Sequence, residues 1–309
     1  MPFKLDHVII SVADLPQAID VYREVGFTVL PGGVHANGAT QNALICFQDG
    51  SYLELLAPTD QAVNGEAEGI DFSKLTVRGE GFMGYALITD DLENEVDQIR
   101  QRGILIESPV IGGRTRPDGS EIRWKTAFMG KSFSPFFIQD LTDRTLRVPD
   151  HARIHPNGVL GIQGLYFSVV DMPRFEQIYR AFADREDFER DEDYFLIGGL
   201  YCWFENYSQQ LLERVLQQPS FLSPNPFEQA FEESFHSFLE DSQSEKRLLE
   251  EQEMMVAEFD QVYQQYQECG DDNGSVMTEI LLWGAAGVNE TELQPSKNVK
   301  ISICGGLGD

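Results

Sequence analysis

The sequence predicts an α+β protein built from repeated strand–helix–three-strand (βαβββ) modules, and two observations carry that reading. The first is a repeat. DHVIISVADLPQAIDVYREVGF (6–27) returns as FMGYALITDDLENEVDQIRQRGILI (82–106) and as QGLYFSVVDMPRFEQIYRAF (163–182). Such self-similarity marks a modular fold. Aligned on the corner residues Asp14, Asp91 and Asp171, the copies place His7 opposite Gly84 and Gly164. The second observation lies downstream of each of the first two copies, where three short runs of strand character are separated by turn residues.

In each copy an apolar strand leads to an Asp whose side-chain oxygen can cap the next helix. Apolar residues then recur at helical spacing, as in Ile19, Val21, Tyr22 and Val25. Gly26 and Gly103 stop the first two helices where a left-handed residue is needed. After the first helix come FTVLPG, NALICFQDG and SYLELLAP, with Asp49-Gly50 as a hairpin turn. After the second come ILIESPVI, EIRWKTAFM and PFFIQDL, with Pro117-Asp118-Gly119 as the turn. The expected units are a domain over 1–150, with modules at about 1–75 and 80–145, and a second region over 155–309. That region holds a third, degenerate module in which DYFLIGGLYCWFENY supplies two strands. An acidic amphipathic helical insertion spans about 226–268, and VKISICGGLGD ends the chain as a short strand and tail.

Charge narrows the function classes. Asp and Glu number 51 against 23 Lys and Arg, a net charge of -28. A nucleic-acid sheath needs Lys and Arg to neutralise phosphates, so nucleic acid and anionic membrane surfaces are rejected as partners. No signal-peptide pattern and no run near the ~20 apolar residues of a membrane span occur, so a soluble, cytoplasmic protein is expected. Cys46, Cys202, Cys269 and Cys304 are dispersed without a CxxC pair and read as reduced, buried thiols. The acidity of the helical region reads as a solvated face, with an interaction surface as the alternative, and the region itself either covers an edge of the cup or makes a homodimer contact. The sequence leaves both open.

Seven ordered motifs then narrow the family: LDHV (5–8), His35 ahead of ATQNAL (39–44), YLEL (52–55), RTRPDG (114–119), Trp124, PFFIQ (135–139) and HPNG (155–158). Together they resemble the glyoxalase-like domain family of the vicinal oxygen chelate superfamily, which includes glyoxalase I, extradiol dioxygenases and bleomycin-resistance proteins. The resemblance covers about the first 180 residues. It departs at Ala39, where the family usually has Gly. It implies paired βαβββ modules forming a cupped mixed sheet, and a divalent metal held by the first and last strands of each module. Carried onto this chain, the ligand positions are His7, Glu54, Gly84 and Gln139. Glycine has no ligating side chain, so His7, Glu54 and Gln139 remain, a set suited to Zn, Fe, Ni or Mn.

Strand alternation supports the inward placement of that set, since Tyr52, Glu54 and Leu56 share one face of their strand and Pro135, Phe137 and Gln139 share one face of theirs. Structural alternatives stand beside it. His7 can be a hydrogen-bonded partner of Asp6, and Glu54 can pair with Arg114, Arg116 or Arg123. His35, on the loop GGVHANG, is a general-base candidate, a substitute ligand or a loop residue. Arg114 and Arg116 flank a turn and can grip a carboxylate or phosphate. Trp124 can stack on a planar ligand or pack in the core. Asn42 and Thr40 face the cup or hold the His35 loop. His155, in the turn after the paired modules, is a weaker candidate.

Two functions from different classes are compatible with these residues. One is a metal-dependent enzyme of lyase, isomerase or hydrolase type on a small oxygen-rich metabolite, with His35 and Glu54 catalytic and Asn42, Arg114, Arg116 and Trp124 binding substrate. The other is a non-catalytic small-molecule binding or sequestration protein of the bleomycin-resistance type.

Overall fold

The computed structural model describes residues 3–36, 38–59, 81–116, 118–129, 133–169, 172–183, 194–206, 275–285, 288, 291–296 and 299–304. The acidic stretch 226–268, Cys269, Pro117 and the corner Asp171 lie outside the described residues. The first module runs β1 (Lys4–Ser11), α1 (Leu15–Glu24), β2 (Leu30–Val34), β3 (Thr40–Cys46) and β4 (Tyr52–Pro58). The second runs β5 (Gly81–Ile88), α2 (Leu92–Gln101), β6 (Val110–Thr115), β7 (Glu121–Phe128) and β8 (Phe133–Asp140). A single helical turn, α3 (Arg144–Arg147), comes next.

Local chemistry sets the helix starts as the repeat implies. Asp14 Oδ1 accepts from Gln17 N at 2.9 Å, and Asp91 Oδ1 accepts from Asn94 N at 3.4 Å. The chain leaves α1 through Gly26 at φ +88°, with Asn157 packed so close that a Cβ would meet it at 2.9 Å.

The two modules share an eight-stranded sheet in the order β2-β3-β4-β1-β5-β8-β7-β6. β1 pairs parallel with β4, β5 pairs parallel with β8, and β1 joins β5 antiparallel, so each module contributes half of the sheet in the same arrangement. The rims approach each other through an isolated bridge between His35 and Arg114, supported by Ala36 N donating to Gly113 O at 3.2 Å. The sheet is thus a nearly closed cup. One face carries Val8, Ile10, Leu53, Leu55 and Phe137 into the main core, and the other lines the hollow with Ile9, Leu56, Phe128, Phe136 and Ile138.

Beyond the cup come β9 (Val159–Val169), α4 (Met172–Tyr179), β10 (Tyr194–Ile197), β11 (Leu200–Asn206), β12 (Ser275–Gly284), β13 (Thr291–Ser296) and β14 (Val299–Cys304). They form a six-stranded sheet, β10-β11-β9-β12-β14-β13. The pairings repeat the logic of the cup: β9 is parallel to β11 and antiparallel to β12, and β12 is parallel to β14. The third partial module is therefore joined by a strand set of which the sequence pattern reveals only the terminal strand. SVMTEILLWG and TELQPS lack the Asp corner and helix that mark the other copies, so β12 and β13 leave no repeat signal. The sheets share one hydrophobic core, in which Phe3, Tyr85 and Phe137 meet Phe167, Tyr179 and Phe182. Tyr85 Oη donates to Tyr179 Oη at 2.9 Å across that boundary. No helix among the described residues is long and apolar enough to cross a membrane.

Candidate functional site

The hollow of the cup is a cavity of about 450 Å³. Strand alternation fills its first-module wall with polar groups: Thr40 and Asn42 from β3, Tyr52 and Glu54 from β4, and His7 from β1. Glu54 is the centre of this wall and is buried at 6% exposure. Its two oxygens have separate partners. Oε2 lies 3.3 Å from His7 Nε2, while Oε1 lies 3.7 Å from His35 Nε2 and accepts from Asn42 Nδ2 at 2.7 Å. Burial raises the carboxyl pKa, but His7, His35 and the Asn42 hydrogen bond together outweigh it and hold Glu54 below the usual carboxylate range. Burial pushes His35 the other way from a free imidazole, below its ordinary value, against the attraction of Glu54. Its Nδ1 meets Thr40 Oγ1 at 2.7 Å, and its backbone N donates to Thr40 O at 2.9 Å, which folds the loop back over β3.

Behind His7 lies a charge network of which the sequence reading offers only the Asp6–His7 hydrogen bond. Asp6 is fully buried and bonds His7 Nδ1 at 2.6 Å. Simple alternation would send Asp6 and His7 to opposite faces. A register shift between Leu5 and His7 in the β1–β5 ladder breaks that alternation at Asp6. Arg147 donates to both Asp6 oxygens, both Asp140 oxygens and Tyr52 Oη, which uses all five of its N–H groups. Arg144 adds bonds to Asp6 at 2.6 Å and Asp140 at 3.1 Å. Although burial opposes ionisation, the two guanidiniums hold Asp6 well below the usual carboxylate range. An ionised carboxylate only accepts, so His7 Nδ1 carries the proton and Nε2 is the atom turned toward Glu54. Tyr52 stacks on the imidazole at 4.6 Å between centroids and fixes its plane. The Arg pair is legible in principle, since Asp143, which accepts from Thr145 N at 2.8 Å, caps a turn carrying Arg144 and Arg147 on one side. What those residues face is not.

The remaining sequence candidates separate. Arg114 and Trp124 line the cavity, and Gly112 lets the indole approach, since a Cβ there would stand 2.7 Å from Trp124 Nε1. Arg116 does not line it and pairs with Asp118 at 3.3 Å, within its own turn. Gln139 is a correction. Phe136 and Ile138 line the hollow, which turns Gln139 to the opposite face, where it accepts from Leu92 N at 3.2 Å and donates to Asp90 O at 2.6 Å. Period-2 counting groups Phe137 with Gln139 correctly but cannot say which face is inward. Gln139 caps α2. His155 is structural as well, accepting from Thr28 N at 3.0 Å and lying 3.0 Å from Cys46 O.

The family model described as a glyoxalase-like domain matches residues 5–182, more than half of the chain. The chain belongs to the glyoxalase-like domain family. Its cup of paired βαβββ modules is the vicinal oxygen chelate fold. This glyoxalase-like chain is similar over its whole length to a crystal structure of a hypothetical protein from Staphylococcus aureus, with TM-score 0.62 and 13% identity, covering 98% of this chain and 99% of that one. Methylmalonyl-CoA epimerase from Mycobacterium tuberculosis matches 45% of this chain and 88% of its own at 21% identity and TM-score 0.33. The Streptomyces coelicolor methylmalonyl-CoA epimerase, solved with 2-nitronate-propionyl-CoA, matches 46% and 97% at 23% identity and TM-score 0.35. No curated protein matches the chain significantly.

Proposed function

We propose that the chain is an enzyme of isomerase or lyase type that moves a proton on a small oxygen-rich molecule bound in the cup. The observation that carries this reading is the buried Glu54 carboxylate facing one imidazole on each oxygen at the cavity wall. In the tautomer that donates Nδ1–H to Thr40, His35 Nε2 holds a lone pair and accepts the substrate's C–H proton. The imidazolium so formed stands 3.7 Å from Glu54 Oε1, whose charge stabilises it. Asn42 holds that oxygen in place. The His35 imidazolium then returns its proton to the carbanion, at the same or the adjacent atom, and regains its neutral tautomer, while His7, its tautomer set by Asp6, faces the other oxygen of Glu54.

The resemblance also implies a divalent metal, which would act as a Lewis acid on adjacent substrate oxygens. His7 and Glu54 are suitable donor types, but Gln139 faces away. Among the described residues no three His, Cys, Asp or Glu side chains are arranged to hold an ion. The donor set does not fit, and the steps above are assigned to protein groups alone.

Non-catalytic sequestration is the second reading, favoured by the apolar character of the second-module wall. Proton exchange separates the two. A panel of 2-oxo and 2-hydroxy acids in deuterium oxide, monitored by proton NMR, is expected to gain deuterium at the acidic carbon with wild-type protein and to stop doing so with His35→Gln and Glu54→Gln. Exchange unaffected by both substitutions would overturn the residue assignment. Saturable binding of panel members without exchange would select the sequestration reading.

A further inference from the structure

The cavity sets a guanidinium with donors to spare beside an apolar wall, and this combination names a ligand class. Arg114, on β6, is 5% exposed and lines the hollow. Among the described residues its one hydrogen-bond acceptor is the carbonyl of Gly32, reached from Nη1, and no carboxylate lies within ion-pairing distance. Arg147, on the same cavity, differs because every N–H it has is taken. A guanidinium has five donors, and here one carbonyl accepts while the Glu54 charge acts only from beyond ion-pairing distance, so the cost of burying the charge is incompletely compensated. A ligand that brings an anion offsets that cost.

The rest of the ligand is set by the second module. Where the first module offers His7, Asn42 and Glu54, the facing strands offer Phe128, Phe136 and Ile138, with the Phe128 and Phe136 rings stacked at 5.0 Å. Such a wall binds an apolar body through area removed from water and through ring contacts. The volume, near the lower end of the ~300–1,000 Å³ range of ligand pockets, suits a compact molecule. The chain's net charge of -28 repels multiply charged anions at long range, which favours one carboxylate over a phosphate ester.

We propose that the cup binds a small monocarboxylate with an aromatic or branched apolar body, its carboxylate on Arg114 and its body against Phe128, Phe136 and Ile138. This names the substrate class of the site under the reading above and rests on that reading.

The test is equilibrium binding to the full chain by calorimetry, with 3-phenylpropanoate, 4-methylpentanoate, acetate, phenyl phosphate and the neutral isostere 3-phenylpropanol as probes. The two apolar carboxylates are expected to bind saturably and at least tenfold more tightly than acetate, phenyl phosphate or the alcohol. Arg114→Met should lose at least tenfold for the carboxylates and nothing for the alcohol, and Phe136→Ala should weaken both. Equal binding of carboxylate and alcohol to wild type, tighter binding of the phosphate, or no binding of either apolar carboxylate would overturn the proposal. The comparison between probes on wild type decides the matter if Arg114→Met fails to fold. Repeating the titration in His35→Gln separates this proposal from the function above. Selective binding without proton exchange in wild type sustains the ligand class and overturns the catalytic reading, whereas exchange without carboxylate selectivity does the reverse.

Discussion

At the scale of single residues, Asp6 is the group whose role depends most on its surroundings. It is a carboxylate at 0% exposure, tolerated because Arg144 and Arg147 supply charge and hydrogen bonds at 2.5–3.0 Å. Breaking such a buried set by removing one partner costs about 3–5 kcal/mol. Asp6→Asn should therefore lower unfolding stability by that order in denaturant titration. The pH dependence is set by the direction of the shift. The folded-state pKa lies below the unfolded value, about 3.9, so the contribution is complete above that value and is lost as pH falls from it toward the folded pKa. Wild-type stability should drop steeply below about pH 4, and Asp6→Asn should flatten that acid limb. An identical acid limb in the variant would show that other carboxylates govern acid unfolding.

At the scale of elements, β6 is decisive because one strand places both Arg114 and the approach of Trp124. Gly112 makes that approach physically possible, and nothing larger fits without moving the indole. Gly112→Ala should cost roughly 1–3 kcal/mol as an overpacking change, shift the Trp124 fluorescence and weaken binding in the cup. An unchanged emission spectrum and unchanged stability would mean that β6 yields instead of the ring. The same strand explains why Arg114 and Arg116 part company. Arg114 sits in the ladder opposite Ile122 and faces the hollow, whereas Arg116 is already in the turn, where its backbone N bonds Ser120 O at 2.9 Å.

At the scale of the whole molecule, the paired modules have diverged from each other. The first lines the cup with His7, His35 and Glu54, and the second has Gly84 where the repeat matches His7, and Phe136 paired to Ala86 where Glu54 pairs with Ile9. The consequence is a one-sided site, with the carboxylate and both imidazoles on the first module's wall and Phe128, Phe136 and Ile138 beside Arg114 on the second's. Protein purified without chelators should accordingly carry well below one equivalent of transition metal by elemental analysis. A full equivalent that disappears in both His7→Ala and Glu54→Gln would restore the metal-dependent reading. The second sheet belongs to the same core, joined to the cup through Phe182 packed on Phe3 and Phe137 and through Tyr179 bonded to Tyr85. Substitutions at that boundary are stability changes shared by both sheets.

Local sequence chemistry is enough to specify the modules. Asp corners, helical periodicity, the terminating glycines and period-2 strands are short-range properties, and they locate both βαβββ units, the polar strand residues Asn42 and Glu54, and the two histidines that meet at Glu54. Which face of β8 is inward, the break in alternation at Asp6, the meeting of His35 with Arg114 across the rim, and the burial of Arg147 depend on sheet register and chain closure. Those are contacts between residues as far as 141 positions apart, and no local pattern encodes them. The misplacement of Gln139 and the silence of the sequence about Arg144 and Arg147 have one cause: a period tells which side chains share a face, and only packing tells what that face looks upon.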